Sequence, residues 1–116
     1  MEPGGASQPL AQLRRGVLEY CVLALLRAEE LYSVELVHRL GRSSGLVVSE
    51  GTLYPLLSRL RREGRVVTSW RESSSGPPRR YYALTESGRT ALAAFTDDWR
   101  AFTSAVDALL TPGEHS

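Results

Sequence analysis

The chain has little of what catalysis and metal binding require. Among its 116 residues there are one cysteine and two histidines, and they are not spaced like metal ligands. The sequence has no nucleophile elbow, HExxH, phosphate-binding loop or glycine-rich dinucleotide turn. Asp97 and Asp98 are adjacent on a predicted helix, so they point about 100° apart instead of converging on a substrate. We therefore expect neither an enzyme nor a bound metal or cofactor.

Long apolar runs and lysine are absent too. The longest apolar run, Tyr20 to Leu26, is far shorter than the roughly 18 residues of a membrane-spanning helix, and no leader-like segment precedes it. We expect a cytoplasmic protein with no membrane partner. Every one of the fourteen basic residues is arginine. The guanidinium group of arginine forms bidentate pairs with phosphate or guanine.

The composition, 42% hydrophobic and 23% charged, is that of a single globular domain. Residues 1–9 are rich in glycine, proline and serine and predict a disordered arm, and residues 111–116 a disordered tail. A first helix is predicted over residues 10–28. Its second half is apolar on nearly every side, which indicates burial between its own core and something outside it.

A later helix begins at Ser49, a good N-cap, and ends before Gly64. Its leucines at 53, 56, 57 and 60 recur at helical spacing and predict a core face. The remaining positions hold residues that are unusual on a solvated helix, because they lower helix propensity or permit close approach of another surface. They are Gly51, Pro55, Ser58 and Arg62 opposite the leucines, with Thr52, Tyr54 and Arg59 beside them. The alternatives are an amphipathic helix with a kink and a recognition helix for the DNA major groove.

The next segment favours the recognition helix. Val66 to Glu72 and Arg79 to Leu84 predict two strands separated by the six-residue tip SSSGPP, which together form a wing. Residues 59–80 contain seven arginines and two glutamates, a net charge of +5 in a chain whose total is +1. Such a concentration is typical of a phosphate-binding surface, although arginine runs also occur as plain solvated faces.

Upstream, Ser33 is predicted to cap a short helix with Val34, Val37 and Leu40 facing inward. Three helices followed by a hairpin predict a winged helix-turn-helix domain over residues 10–84, a mainly α fold with a small β-hairpin.

Residues 85–110 predict a long last helix capped by Thr85. Its large apolar residues are spaced 3, 4, 3, 4, 3, which is a heptad pattern and predicts a dimerisation helix. They are Leu92, Phe95, Trp99, Phe102, Val106 and Leu109, with Leu13 and Val17 of the first helix as further interface candidates. The alternative is that this stripe packs on the chain's own first helix, and both arrangements can hold together.

The blocks GTLYPLLSRLRREGRV and RRYYALTESGR resemble the PadR family of transcriptional regulators, and the resemblance spans roughly residues 13–110. A single C-terminal helix in place of an extended C-terminal domain is similar to the smaller PadR subfamily. The resemblance implies a winged-helix homodimer that represses from a palindromic operator, often in its own promoter, and is released by an effector. It also implies DNA contacts from Ser49, Gly51, Thr52, Tyr54, Pro55, Arg79 and Arg80. Leu31 departs from the family, which usually has glycine before the tyrosine.

In multidrug-binding relatives a tryptophan of the last helix stacks planar ligands at the dimer centre. Trp99 occupies the matching place, so the resemblance implies a small planar or aromatic effector bound by Trp99 with Phe95 and Phe102. The alternative role for Trp99 is interface packing alone. Two rival functions stay open: a winged-helix module that binds an acidic protein partner, and an enzyme for small aromatics, for which the sequence offers no acid–base pair.

Overall fold

The computed structural model describes residues 8–43 and 45–113. Most of the predicted arm and the last three residues of the predicted tail lie outside these ranges. Helix α1 spans Gln8–Ala28, so it begins within the predicted arm. Pro9 suits this position, because the missing N–H of proline has no helical partner in a first turn.

The second half of α1 is buried, as its composition predicts. Val22 and Leu23 are fully buried and Leu26 is nearly so. Tyr20, Cys21, Ala24 and Leu25 pack against the same core from other sides of the helix. Burial raises the pKa of the Cys21 thiol, which fits a packing role.

Strand β1, Leu31–Tyr32, leads directly into helix α2, Ser33–Leu40. The cap of α2 is Tyr32, not the predicted Ser33, and the Tyr32 backbone N–H donates to Glu35 Oε1 at 3.2 Å. Val34 was predicted to face inward and is exposed. A spacing of three residues drifts by about 60° per step around a helix, so Val34 cannot share a face with Leu40. The buried residues of α2 are Ser33, Leu36 and Leu40.

Helix α3, Glu50–Arg62, has the predicted cap and end. The Ser49 Oγ accepts from the Thr52 backbone N–H at 3.2 Å, and the helix continues through Pro55. Gly64 follows the C-cap with a φ of +77°, a conformation that L side chains rarely adopt. Leu53, Leu57 and Leu60 are fully buried, whereas Leu56 is only partly buried.

The wing consists of strands β2, Val66–Ser73, and β3, Gly76–Leu84. Ser73 pairs with Gly76, so the turn contains two residues and the predicted six-residue tip is wrong. Pro77 and Pro78 suggested a loop, but they lie in β3 beyond its pairing with β1, where proline needs no ladder partner on the open side. The described residues form an antiparallel sheet in the order β1-β3-β2, a strand more than the predicted hairpin.

Helix α4, Glu86–Leu110, is capped by Thr85 as predicted. None of the helices in the described ranges is long and apolar enough to cross a membrane. A junction fixes the start of α4 to the end of α3. The Thr85 hydroxyl donates to the Gly64 carbonyl at 2.7 Å, and the Thr85 backbone N–H donates to the Arg65 carbonyl at 3.1 Å. Gly88 is buried there, and a Cβ at this residue would overlap the Arg65 carbonyl oxygen.

Gly88→Ala is therefore expected to destabilise the fold by roughly 1–3 kcal/mol, because the added methyl meets backbone that cannot rotate away. Urea unfolding of the full chain measures the change. Gly51→Ala is the matched control, since the nearest atom to its added Cβ is Ser49 Oγ at an ordinary 3.7 Å. Equal stability of the two variants would contradict the close approach at Gly88.

Candidate nucleic-acid interface

The outward ridge of α3 lies opposite its buried leucines. Gly51, Pro55 and Arg62 occupy the centre of this ridge at helical spacing, and all three are exposed. Tyr54 and Ser58 lie on one flank, and Thr52 and Arg59 lie on the other. The small and rigid residues on the ridge let another surface approach the helix backbone. The structure thus brings the predicted α3 contacts together on a single solvent-facing surface.

A cleft of about 460 Å³ separates this ridge from the wing. Tyr54 and Ser58 line its α3 side, and the wing contributes Trp70, Arg79 and Arg80. At its floor the Tyr54 hydroxyl and the Ser33 Oγ are hydrogen-bonded at 3.0 Å. That bond provides Ser33, a buried polar residue, with a partner and fixes the Tyr54 ring at the edge of the cleft.

Aromatic rings hold the two wing arginines. The Arg79 guanidinium lies 4.6 Å from the centre of the Tyr32 ring, and that of Arg80 lies 4.9 Å from the Trp70 ring. These are cation–π distances, and among the described residues neither guanidinium group has an acidic partner. The Arg80 Nε is buried and donates to no described residue. The wing therefore presents the positive charge of Arg79 and Arg80 to the cleft.

The sequence pattern does not predict Tyr32 or Trp70 as part of this candidate interface. Trp70 lies directly opposite Arg80 across the β2–β3 ladder. That register results from the two-residue turn together with a register shift between Arg71 and Ser73, and a six-residue tip predicts neither of them. Tyr32 reaches Arg79 only because β1 pairs with β3, and a strand of two residues has no periodicity to detect.

Three of the seven arginines of residues 59–80 form ion pairs inside the chain. Arg59 donates to Glu19 at 2.9 Å and Arg65 lies 3.8 Å from the same carboxylate, while Arg71 pairs with Glu30. The hydrogen bond with Glu19 raises the pKa of Arg59, which stays charged. Because Glu19 and Glu30 come from outside residues 59–80, the local charge of this surface is smaller than the predicted +5. Among the described residues, Arg61, Arg62, Arg79 and Arg80 have no ion pair.

The heptad stripe of α4 divides into two parts. Leu92 is 5% exposed and belongs to the chain's own core, which corrects its assignment to the dimer interface. Phe95 stacks on Tyr20 of α1 with ring centres 4.0 Å apart. This part packs on the first helix, as the alternative interpretation had it.

The rest of the stripe is uncovered. Trp99, Phe102 and Leu109 are 39%, 56% and 86% exposed, and Val106 is partly buried. A shallow groove of about 390 Å³ lies between α4 and α1. The predicted seam residues Leu13, Val17, Phe95, Trp99 and Phe102 line it together. An apolar strip of this kind on a small domain is typical of a protein or ligand contact.

Three helices, a wing and an exposed, basic α3 ridge define a winged helix-turn-helix protein. Residues 22–94 match the model of the transcriptional regulator PadR-like family, and the chain belongs to that family. The protein is therefore of the class of DNA-binding transcriptional regulators.

Known relatives match over most of the chain. The transcriptional regulator Rv3488 of Mycobacterium tuberculosis is 33% identical over 92% of this chain and 95% of its own. The crystal structure of a PadR-like transcriptional regulator from Bacillus cereus is 37% identical, with a TM-score of 0.81 over 88% of this chain and 99% of that one. The crystal structure of a PadR family regulator from Eggerthella lenta is 35% identical, with a TM-score of 0.78 over 88% of each chain.

Proposed function

We propose that the protein is a homodimeric, effector-responsive repressor that binds an inverted-repeat operator. The observation that carries this proposal is the exposed α3 ridge beside wing arginines held on aromatic rings. A helix of this kind fits the major groove, while a neighbouring wing contacts the backbone. The proposal includes autoregulation, in which the operator lies upstream of the protein's own coding region.

In this proposal the α3 ridge reads bases. Gly51 and Pro55 let the helix backbone approach base edges, and Arg62 extends from the same ridge. The hydroxyls of Ser49, Thr52, Tyr54 and Ser58 are the candidate donors and acceptors for bases or phosphates. Ser49 already donates to Thr52 Oγ1 at 3.3 Å, which leaves the Thr52 hydroxyl hydrogen free to face DNA. Arg79 and Arg80 bind phosphates.

One recognition helix and one wing cover half of an operator. A second copy related by a two-fold axis would place its α3 about 34 Å away, one turn of DNA along the same face. The exposed part of the α4 stripe is the proposed contact between copies, since Trp99 and Phe102 would bury large apolar area there. Leu13 and Val17 of α1 lie beside them and extend the contact.

The same aromatic cluster is the proposed effector site. The rings of Phe95 and Trp99 lie 5.8 Å apart between centres, and those of Trp99 and Phe102 lie 6.5 Å apart. A planar ligand that stacks on Trp99 changes the distance between the two α3 helices of the dimer only if it binds one dimer shape better than the other.

Arg79→Ala combined with Arg80→Ala is expected to weaken operator binding and to flatten its salt dependence by roughly one to two units of log–log slope. Fluorescence anisotropy measures both the affinity and the salt slope on a DNA duplex taken from upstream of the protein's own coding region. The control is Arg27→Ala with Arg89→Ala. Arg27 is exposed near the C-terminal end of α1, and Arg89 is exposed near the start of α4. Equal slopes for the two double variants would contradict the wing assignment.

The same titrations distinguish the rival protein-interaction module. A regulator of the proposed kind binds an inverted repeat from its promoter more tightly than a random duplex of equal length. Equal, weak binding to both would contradict the repressor proposal.

Trp99→Asp with Phe102→Asp is expected to convert the dimer into monomers, because each carboxylate would lose its hydration in the apolar contact. Sedimentation velocity measures the mass. Trp70→Asp is the matched control, since this tryptophan is 63% exposed on the wing and should leave the dimer intact. A dimeric Trp99/Phe102 variant would exclude this stripe as the interface.

An effector that binds at the proposed contact between copies is expected to quench the fluorescence of Trp99. In a Trp70→Phe background Trp99 is the one tryptophan left, and a planar aromatic dye that does not bind the DNA duplex by itself serves as the probe. We expect saturable quenching and a change in DNA affinity, with DNA changing dye affinity by the same factor. A Trp99→Phe variant that keeps Trp70 should show no quenching. Identical quenching in both variants would place the dye elsewhere.

A further inference from the structure

The first half of α1 has two different faces. One face lines the apolar groove with α4 through Leu13, Gly16 and Val17. The other lines a cleft of about 720 Å³ between α1 and α3 through Arg14 and Arg15. The two cavities share no residue. The proposed dimer contact therefore leaves the arginine face of α1 open.

The α1–α3 cleft is positively charged. Arg14, Arg15, Arg59 and Arg62 line it together with a single acidic residue, Glu19. The Glu19 carboxylate is already engaged by Arg59 at 2.9 Å. Within the described ranges, Arg14, Arg15 and Arg62 have no ion pair, so their guanidinium groups are available to an external anion.

The cleft also borders the recognition surface. Ser49, Thr52 and Pro55 form its α3 side, and Pro55 is on the ridge itself. The wing-side cleft begins at Tyr54 and Ser58, on the opposite flank of the same helix. The ridge of α3 is thus flanked by two clefts, each of which contains two arginines from a second element.

A major groove about 12 Å wide has a phosphate backbone on each side. When a helix ridge enters the groove, the two backbones lie against the two flanks of the helix. The wing arginines face one of these backbones. We propose that Arg14 and Arg15 bind phosphates of the other strand, so that each half of the dimer holds both strands of its half-site. This inference rests on the proposed function and adds a DNA-binding element outside residues 49–84.

Arg14→Ala with Arg15→Ala is expected to reduce the log–log salt slope by roughly one to two units on the promoter inverted repeat. In phosphate-ethylation interference, the variant should lose sensitive phosphates on one strand of each half-site. The Arg79→Ala/Arg80→Ala variant should lose them on the opposite strand. Arg14→Lys with Arg15→Lys keeps the charge and should retain the slope, which separates phosphate binding from damage to α1. Arg27→Ala with Arg89→Ala is the control.

Three outcomes overturn the inference. If the full chain prefers the inverted repeat and the wing variant weakens it while Arg14→Ala/Arg15→Ala matches the control, the α1 contact alone is wrong. If Arg14→Ala/Arg15→Ala and Arg79→Ala/Arg80→Ala lose sensitive phosphates on the same strand, the assignment of the two elements to different strands is wrong. If the unmodified chain does not distinguish the repeat from random duplex, the proposed function fails and the inference fails with it.

Discussion

The junction between the end of α3 and the start of α4 fixes the positions of the surrounding elements. The carbonyls of Gly64 and Arg65 accept hydrogen bonds from Thr85, and the absence of a side chain at Gly88 leaves room for the Arg65 carbonyl, which a Cβ would overlap. Because β2 begins at Val66 and β3 ends at Leu84, the base of the wing is held between these contacts. The contacts of Thr85 and Gly88 with Gly64 and Arg65 thus determine how α3, the wing and α4 lie relative to one another. Burial or charge alone would not fix this arrangement.

Helix α1 connects the proposed DNA-binding surface with the apolar groove. Consecutive residues of α1 contact different partners: Glu19 pairs with Arg59 of α3, and Tyr20 stacks on Phe95 of α4. A movement of α4 against α1 would therefore strain the same helix that supports the recognition helix. In the proposed mechanism, an effector at the seam acts on the recognition helix through α1, provided that it binds one dimer shape better than the other.

The parts of the fold that the sequence predicts well are those with strong local signals. Ser49, Gly64 and Thr85 mark helix boundaries through their caps, and leucine spacing marks the buried face of α3. The errors occur where long-range contacts decide. Strand β1 exists because β3 lies beside it, and Leu92 is buried because α1 and the core cover it, although its spacing matches the exposed stripe. The sequence predicts a candidate site at α3 and the wing, but the aromatic rings that hold the wing arginines depend on strand register and pairing.

The arginines show most clearly why counting charges along the sequence does not define an interface. Arg59, Arg65 and Arg71 contribute to the predicted +5, yet each is paired with a glutamate that is distant in sequence. Arg14 and Arg15 lie outside that segment, yet the fold places them beside the recognition ridge. Of the described arginines of residues 59–80, pairing within the chain leaves Arg61, Arg62, Arg79 and Arg80 without an ion pair, and Arg14 and Arg15 add charge on the other flank of the ridge. Since these flanks belong to different elements, the spacing of the charges depends on packing, and packing, not net charge, determines which phosphates the protein can reach.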